Sequence, residues 1–241
     1  KELFAGKFIL KSSMLTSKSK ERLRNEIRLH RSLSARDDSS KIVKFINYFE
    51  TDDYYVIVME LCENKSMREL IKSRKNITEA EARYYLWQIV ESLEYIHKNM
   101  ILHHDLKLGN ILLTKDLKIK ICDFGLAEKL GTSTFTTKMC GTPNYIAPEV
   151  IKKEAHSYPA DIWALGVLLY TFLTGKPPFE TSSVQMTYGR IKESLFYFPP
   201  ASKTALSSDA KDLITKILIV DPDKRLCLSQ IKTHSFFKEY V

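Results

Sequence analysis

Residues 101–110 read ILHHDLKLGN. An aspartate, Asp105, is followed two residues on by Lys107 and five residues on by Asn110, inside a short polar segment with apolar runs on both sides. Those runs, ILHH and NILLT, together with KIKICDF further on, predict short paired strands. The polar residues then fall on a loop carried by core elements. Taken alone, such an aspartate is as easily a turn residue, so its meaning depends on the rest of the chain.

Working outward, the residues before position 61 hold three strand-like runs, FAGKFIL, VKFINYF and YYVIVME, and one basic helical stretch from about Ser19 to Leu33. Beyond it helical periodicity takes over. In ITEAEARYYLWQIVESLEYIHK, Ala82, Leu86, Ile89, Leu93 and Ile96 recur at spacings of three and four and mark one buried face. Thr78 and Glu81 form a capping-box pattern at its start. The stretch ADIWALGVLLYTFLT is apolar nearly all round, which predicts a helix at the centre of a core, ended by Gly175 and Pro177-Pro178. The expected class is α+β: a small β-rich lobe, residues 1–61, then a larger, mainly helical lobe, residues 62–241. A cleft between two such lobes is a usual place for a ligand.

Composition narrows the alternatives. Among 241 residues, 44% are hydrophobic and 27% charged, so disorder is not the default. No run of about 18 apolar residues suggests a membrane span, and KELFAGKFIL lacks the apolar core of a signal peptide. Cys62, Cys122, Cys140 and Cys227 show no C-x-x-C spacing, which fits reduced thiols in the cytosol or nucleus better than disulfides or zinc. Much of the net charge of +8 lies between Lys11 and Arg31. It reads most simply as a solvated helix face. No aromatics interleave it, so nucleic acid is not an expected partner.

Four elements then fall in order: Lys7 in AGK on a strand with Glu26 on the following helix, HHDLKLGN, the DFG of residues 123–125, and the APE of residues 147–149. Each alone is weak, but the ordered set is specific. On these motifs the chain resembles the eukaryotic protein kinases over its whole length.

The resemblance implies a bilobal fold, the substrates ATP and protein Ser/Thr hydroxyls, and Mg²⁺. Lys7 would hold the α- and β-phosphates and Glu26 would fix its ammonium. Asp105 would accept the substrate hydroxyl proton. Lys107 fits the serine/threonine-specific class. Asn110 and Asp123 would be the hard oxygen ligands of Mg²⁺. Ala5 and Leu112 would sandwich the adenine, Glu60 and Cys62 would offer backbone hydrogen bonds, and Met59 would sit behind them. Thr142 would bond Asp105 and Lys107, and Asp161 would take backbone N–H bonds from the catalytic loop. Glu149 would pair with Arg225, and His103 and Phe124 would stack beneath Phe45 and His30.

DLKLGN followed by CGTPNYIAPEV looks like the polo-like kinases, as do ELCENKSMRELIKSRKNITEAEARYYLWQIV, PPFETSSVQMTYGRI and the closing HSFF. That implies a role in the cell cycle, a monomeric catalytic domain, and a cytoplasmic or nuclear location, with centrosome or spindle by resemblance. Polo boxes are not read in this chain. Gly109 and Thr171 stand where arginine-directed kinases carry acids, so an acidic substrate context is expected.

Two departures stand out. No glycine-rich loop precedes Lys7, six residues from the start. A protein beginning at Lys1 is therefore expected to hold ATP phosphates poorly. Second, the usual arginine before the catalytic aspartate is His104, Glu128 lies three residues past DFG, and Lys138 occupies the expected phosphothreonine position. One reading has Lys138 approach Glu128 or the surroundings of His104 and replace a phosphate-dependent clamp. The other has Thr137 phosphorylated, shifted by one residue. A pseudokinase-like scaffold that binds nucleotide is the competing class. Against it stands the intact set Lys7, Glu26, Asp105, Asn110 and Asp123.

Overall fold

The computed structural model describes residues 2–36, 40–131, 134–202 and 205–238. A three-stranded antiparallel sheet is formed by β1 (Phe4–Leu10), β2 (Phe45–Glu50) and β3 (Tyr54–Glu60), in the order β1-β3-β2. Lys7 pairs with Ile57 and Ala5 with Met59 in the β1–β3 register. Between β1 and β2 runs α1 (Ser17–Ser34), started by the Thr16 hydroxyl, which accepts the Ser19 N–H at 3.1 Å. Its buried residues Leu23, Glu26, Leu29, His30 and Leu33 share an inward stripe, and its basic side chains are largely exposed.

After the sheet come α2 (Met67–Arg74) and α3 (Glu79–Lys98). Thr78 and Glu81 close the expected capping box at the start of α3: the Thr78 N–H donates to the Glu81 carboxylate at 2.9 Å and the Glu81 N–H to the Thr78 hydroxyl at 3.2 Å. The short strands β4 (Ile101–Leu102), β5 (Ile111–Leu113), β6 (Ile119–Ile121) and β7 (Glu128–Lys129) form two ribbons, β4–β7 and β5–β6. Strand β7 was not expected. Only two residues long and polar, it takes its conformation from its partner Ile101–Leu102.

The helices that follow are α4 (Pro148–Ile151), α5 (Pro159–Thr174), α6 (Val184–Lys192), α7 (Ser208–Ile217) and α8 (Leu228–Lys232). In α5 every residue from Ala160 to Leu173 is buried, as an all-round apolar pattern requires. Gly175 ends it at φ 82°, where an added Cβ would lie 2.2 Å from the Lys75 carbonyl oxygen. The core gathers α3, α5 and α7 around Trp163, Leu168, Phe172 and Ile214. Arg225 is buried against Glu149 with two bonds of 3.0 and 3.1 Å, the brace expected from the sequence. No helix among the described residues is long and apolar enough to cross a membrane.

Candidate active site

The loop 103–110 runs from the end of β4 to the ribbon β5–β6. Asp161, at the start of α5, accepts the backbone N–H groups of His103 and His104, each at 2.9 Å, and lies 2.9 Å from His97 Nε2. Burial alone would raise its carboxyl, but these donors outweigh it and hold the pKa at about 2. His97 was not singled out from the sequence. Its position in the last turn of α3 brings it to Asp161 only through the packing of α3 on α5.

With the loop so fixed, Asp105 is 6% exposed. Its Oδ1 accepts the Thr142 hydroxyl at 2.6 Å, and its Oδ2 accepts the Lys107 ammonium at 2.6 Å. Lys107 also donates to Thr142 Oγ1 at 3.0 Å. Asn110 turns its amide NH₂ to the Asp105 carbonyl at 2.8 Å and to Oδ2 at 3.2 Å. Its own carbonyl oxygen is thereby left as an acceptor. Three of about four carboxylate lone-pair sites on Asp105 are in use, which leaves room for one more donor.

The second cluster lies across the cleft. Lys7 Nζ is 2.6 Å from Glu26 Oε1 and 3.0 Å from Asp123 Oδ1. Burial works against the Lys7 ammonium, but the two carboxylates outweigh it and hold the lysine above its ordinary value. Asp123 is likewise pushed up by burial and pulled further down by Lys7. It adopts φ 66°, a left-handed backbone uncommon outside glycine. That geometry aims its carboxylate at Lys7 while the Gly125 N–H donates to it at 3.3 Å. The direct Lys7–Asp123 contact was not foreseen, since nothing in their spacing brings residues 116 positions apart together.

One Asp123 oxygen and the Asn110 carbonyl are neutral-to-anionic oxygen donors. They fit a small hard cation that keeps much of its water. Among the described residues no cluster of three or more His, Cys, Asp and Glu side chains could hold a metal by itself, so such a cation would share these two donors with bound phosphates.

Ala5 and Leu112 are half-buried on β1 and β5. Glu60, at the end of β3, commits its carboxylate to Lys120 at 2.6 and 2.7 Å and to the Lys44 N–H, and its own N–H donates to the Lys44 carbonyl at 3.0 Å, so neither is free for a ligand. Met59 is half-buried beside it. Cys62 follows, its thiol pushed up to about 11 by burial and so protonated. The ring column is present: His30 stands 5.5 Å from Phe45 and 5.4 Å from Phe124, and His103 5.3 Å from Phe124.

Around His104 the arrangement differs from the expected clamp. Lys138 enters the region, but its ammonium donates to the Leu126 carbonyl at 2.9 Å and not to Glu128. Glu128 instead accepts the Thr136 hydroxyl at 3.1 Å. The backbones of Thr136 and His156 exchange two bonds of 2.9 Å. A main-chain carbonyl within reach of a long flexible side chain competes well with an exposed carboxylate. The side chain of His104 is buried, the residue adopts φ 66°, and its Nε2 lies 3.7 Å from Glu128 without a hydrogen bond. That distance is too long for a bond, and burial pulls the imidazole down to about 4, so it is neutral and no ion pair forms.

The chain matches the protein kinase domain family over residues 1–237. It is 48% identical to a probable serine/threonine-protein kinase of Zea mays named CCRP1, over 99% of this chain and 37% of that protein. It is 44% identical to the serine/threonine-protein kinase polo of Drosophila melanogaster, over 98% of this chain and 40% of that protein. To the serine/threonine-protein kinase PLK1 of Xenopus laevis it is 43% identical, over 98% of this chain and 38% of that protein. The chain thus spans about two-fifths of the length of these curated relatives. A family match that runs nearly end to end, on a chain whose cleft gathers the residues its motifs singled out, has one reading: this chain belongs to the protein kinases.

Proposed function

We propose that the chain is a polo-like serine/threonine kinase domain that transfers the γ-phosphoryl group of ATP to protein hydroxyls. The observation that carries this reading is Asp105, pinned by Thr142, Lys107 and Asn110 with one acceptor site to spare. A substrate hydroxyl donating to that site is oriented for attack, and its proton has a carboxylate to go to. Lys107, between Asp105 and Thr142, brings positive charge to where the transferred group's oxygens gather it. Lys7, held by Glu26, positions the phosphates of the nucleotide. Asn110 and Asp123 would hold Mg²⁺, which would supply charge neutralisation to the phosphates of the nucleotide. The backbone after β3, with Ala5 and Leu112 on either side, is the proposed adenine seat.

The same reading extends to substrate context. Thr171 is buried and its hydroxyl donates to Val167 at 2.6 Å, so it offers nothing to an incoming arginine. Beside Gly109 lies Arg68, its Cδ 3.9 Å from where a Cβ would stand. Arg68, Lys72, Lys75 and Lys176 line a hollow of about 450 Å³ that has no acidic lining residue. Acidic substrate side chains before the phosphosite would find cations there. We expect serine peptides with glutamates at these positions to exceed lysine-bearing ones by about tenfold in kcat/KM. Arg68→Glu should cut that preference by about fivefold or more, chiefly through KM. An unchanged preference in the variant would remove the acidic-context reading while leaving phosphoryl transfer intact.

The activation segment belongs to the proposal too. Thr136 is tied to Glu128 and His156, and Lys138 to Leu126, so the segment is seated without a phosphate. Such a domain works with unmodified Thr136 and Thr137.

A further inference from the structure

The chain holds six histidines. His97 and His234 each set a ring nitrogen against a carboxylate, and His30 and His103 each against a main-chain carbonyl. His104 and His156 differ. Both side chains are buried, with His156 3% exposed and the side chain of His104 1%. Each nevertheless leaves its Nε2 without a hydrogen-bond partner, a cost that folded chains rarely leave unmatched. The two rings are neighbours, their centres 5.5 Å apart and their planes at 82°.

Their chemistry narrows what would match them. His156 sets Nδ1 2.9 Å from the Glu154 carbonyl oxygen. A carbonyl can only accept, so the ring hydrogen sits on Nδ1 and Nε2 keeps its lone pair. Such a carbonyl behind an imidazole is the usual support of a metal-binding histidine. His104 is kept neutral by burial, so it too can offer a lone pair from Nε2. Two imidazoles on one tetrahedral ion, with bonds of about 2.0 Å, set their ring centres about 5 Å apart, close to the spacing here. The surrounding charge also suits a cation. Glu128 lies 3.7 Å from His104 Nε2, and Asp161 accepts the His104 N–H. Against them stands the Lys138 ammonium, which is turned to the Leu126 carbonyl. Glu128 also lines a hollow of about 460 Å³, which gives water a way in.

We propose that His104 and His156 bind a divalent transition ion of the zinc class through their Nε2 atoms. Imidazole suits such ions, whereas Mg²⁺ prefers oxygen. No group of three His, Cys, Asp or Glu side chains forms a complete cage among the described residues, so water completes the coordination, as at an open site. The ion ties the residue before Asp105 to the segment whose backbone holds Thr136. Catalytic loop and activation segment then share one anchor. That consequence rests on the kinase reading; the ion site does not.

The test is a calorimetric Zn²⁺ titration of the chelator-treated chain in excess Mg²⁺, with thermal melts alongside. We expect one Zn²⁺ per chain and a raised melting temperature. The double variant His104→Gln/His156→Gln should bind at least about tenfold more weakly. Cys227→Ser, which removes the exposed thiol, should leave the affinity unchanged. Equal affinity in the double variant would overturn the proposal, as would a loss caused by Cys227→Ser, since the thiol would then hold the ion. So would an absence of binding to the wild type, which would leave the two nitrogens to water alone. Should the double variant fail to fold, Cu²⁺ bound to the wild-type chain decides by electron paramagnetic resonance. Nitrogen couplings from two imidazoles support the site, and their absence overturns it. Binding is read without nucleotide or peptide, so its failure is distinct from a failure of phosphoryl transfer.

Discussion

His104 and Asp161 meet at the turn of the catalytic loop, and their titrations pull in different pH ranges. The Asp161 carboxyl, held at about 2 against burial by His97 and two backbone N–H groups, has a folded pKa below its unfolded one. Its stabilisation, about 2 kcal/mol, is therefore present above pH about 4 and is lost as the pH falls toward 2. Asp161→Ala leaves buried donors unmatched and should cost about 3 kcal/mol at neutral pH, read by urea denaturation. A cost below about 1 kcal/mol would show that the loop does not depend on it. His104 works in the same direction at higher pH. Burial puts its folded pKa at about 4, below that of an unfolded histidine, so the unfolded chain takes up the proton first as the pH drops. Stability declines from about pH 6.5 toward pH 4. We expect His104→Gln to make that decline shallower, whereas an unchanged pH slope would mean that the histidine is not the group responsible.

The residues to which the kinase resemblance gives a role were legible in the sequence because they sit in ordered motifs. Lys7, Glu26, Asp105, Lys107, Asn110 and Asp123 all lie in the cleft, with Thr142 and Asp161 in contact with the loop as expected. What could not be read was which partner a flexible or buried group chooses. Lys138 takes the Leu126 carbonyl, His97 takes Asp161, and Arg68 comes to lie beside Gly109. Each choice is made by tertiary packing between segments far apart in sequence.

At the scale of elements, long amphipathic or apolar patterns such as α3 and α5 declared themselves, as did the three strands of the sheet. The two-residue β7 did not, because an element that short has no periodicity and owes its form to β4. Yet β7 is where the activation segment departs: Glu128 on it holds Thr136, and Thr136 holds His156. If these contacts replace a phosphate, the double variant Thr136→Ala/Thr137→Ala should keep phosphoryl transfer within about tenfold of wild type. The loss should be confined to the two hydrogen bonds of the Thr136 hydroxyl, donated to Glu128 and accepted from the Lys138 N–H, each worth about 1 kcal/mol. A drop of about a hundredfold or more, rescued by acidic replacements, would instead assign one of these threonines a phosphate.

For the whole molecule, the arrangement is a division of labour between two packed parts. The sheet and α1 present Lys7 and Glu26, and the helical part presents Asp105, Lys107 and Asn110 on a loop anchored by Asp161. The Asp123 carboxylate joins the two through Lys7, and the ring column His30, Phe124 and His103 runs alongside. A scaffold could be built on the same frame, but it would have no use for an aspartate held by three donors with one acceptor site left open. The decisive measurement is therefore radiolabelled phosphoryl transfer from ATP to an acidic-context serine peptide, wild type against Asp105→Asn, with nucleotide affinity followed in parallel. We expect Mg²⁺-dependent transfer by the wild type and a loss of about a thousandfold in kcat for the variant at nearly unchanged ATP affinity. Nucleotide binding by both proteins with equal, background transfer would contradict the account and leave the chain a scaffold.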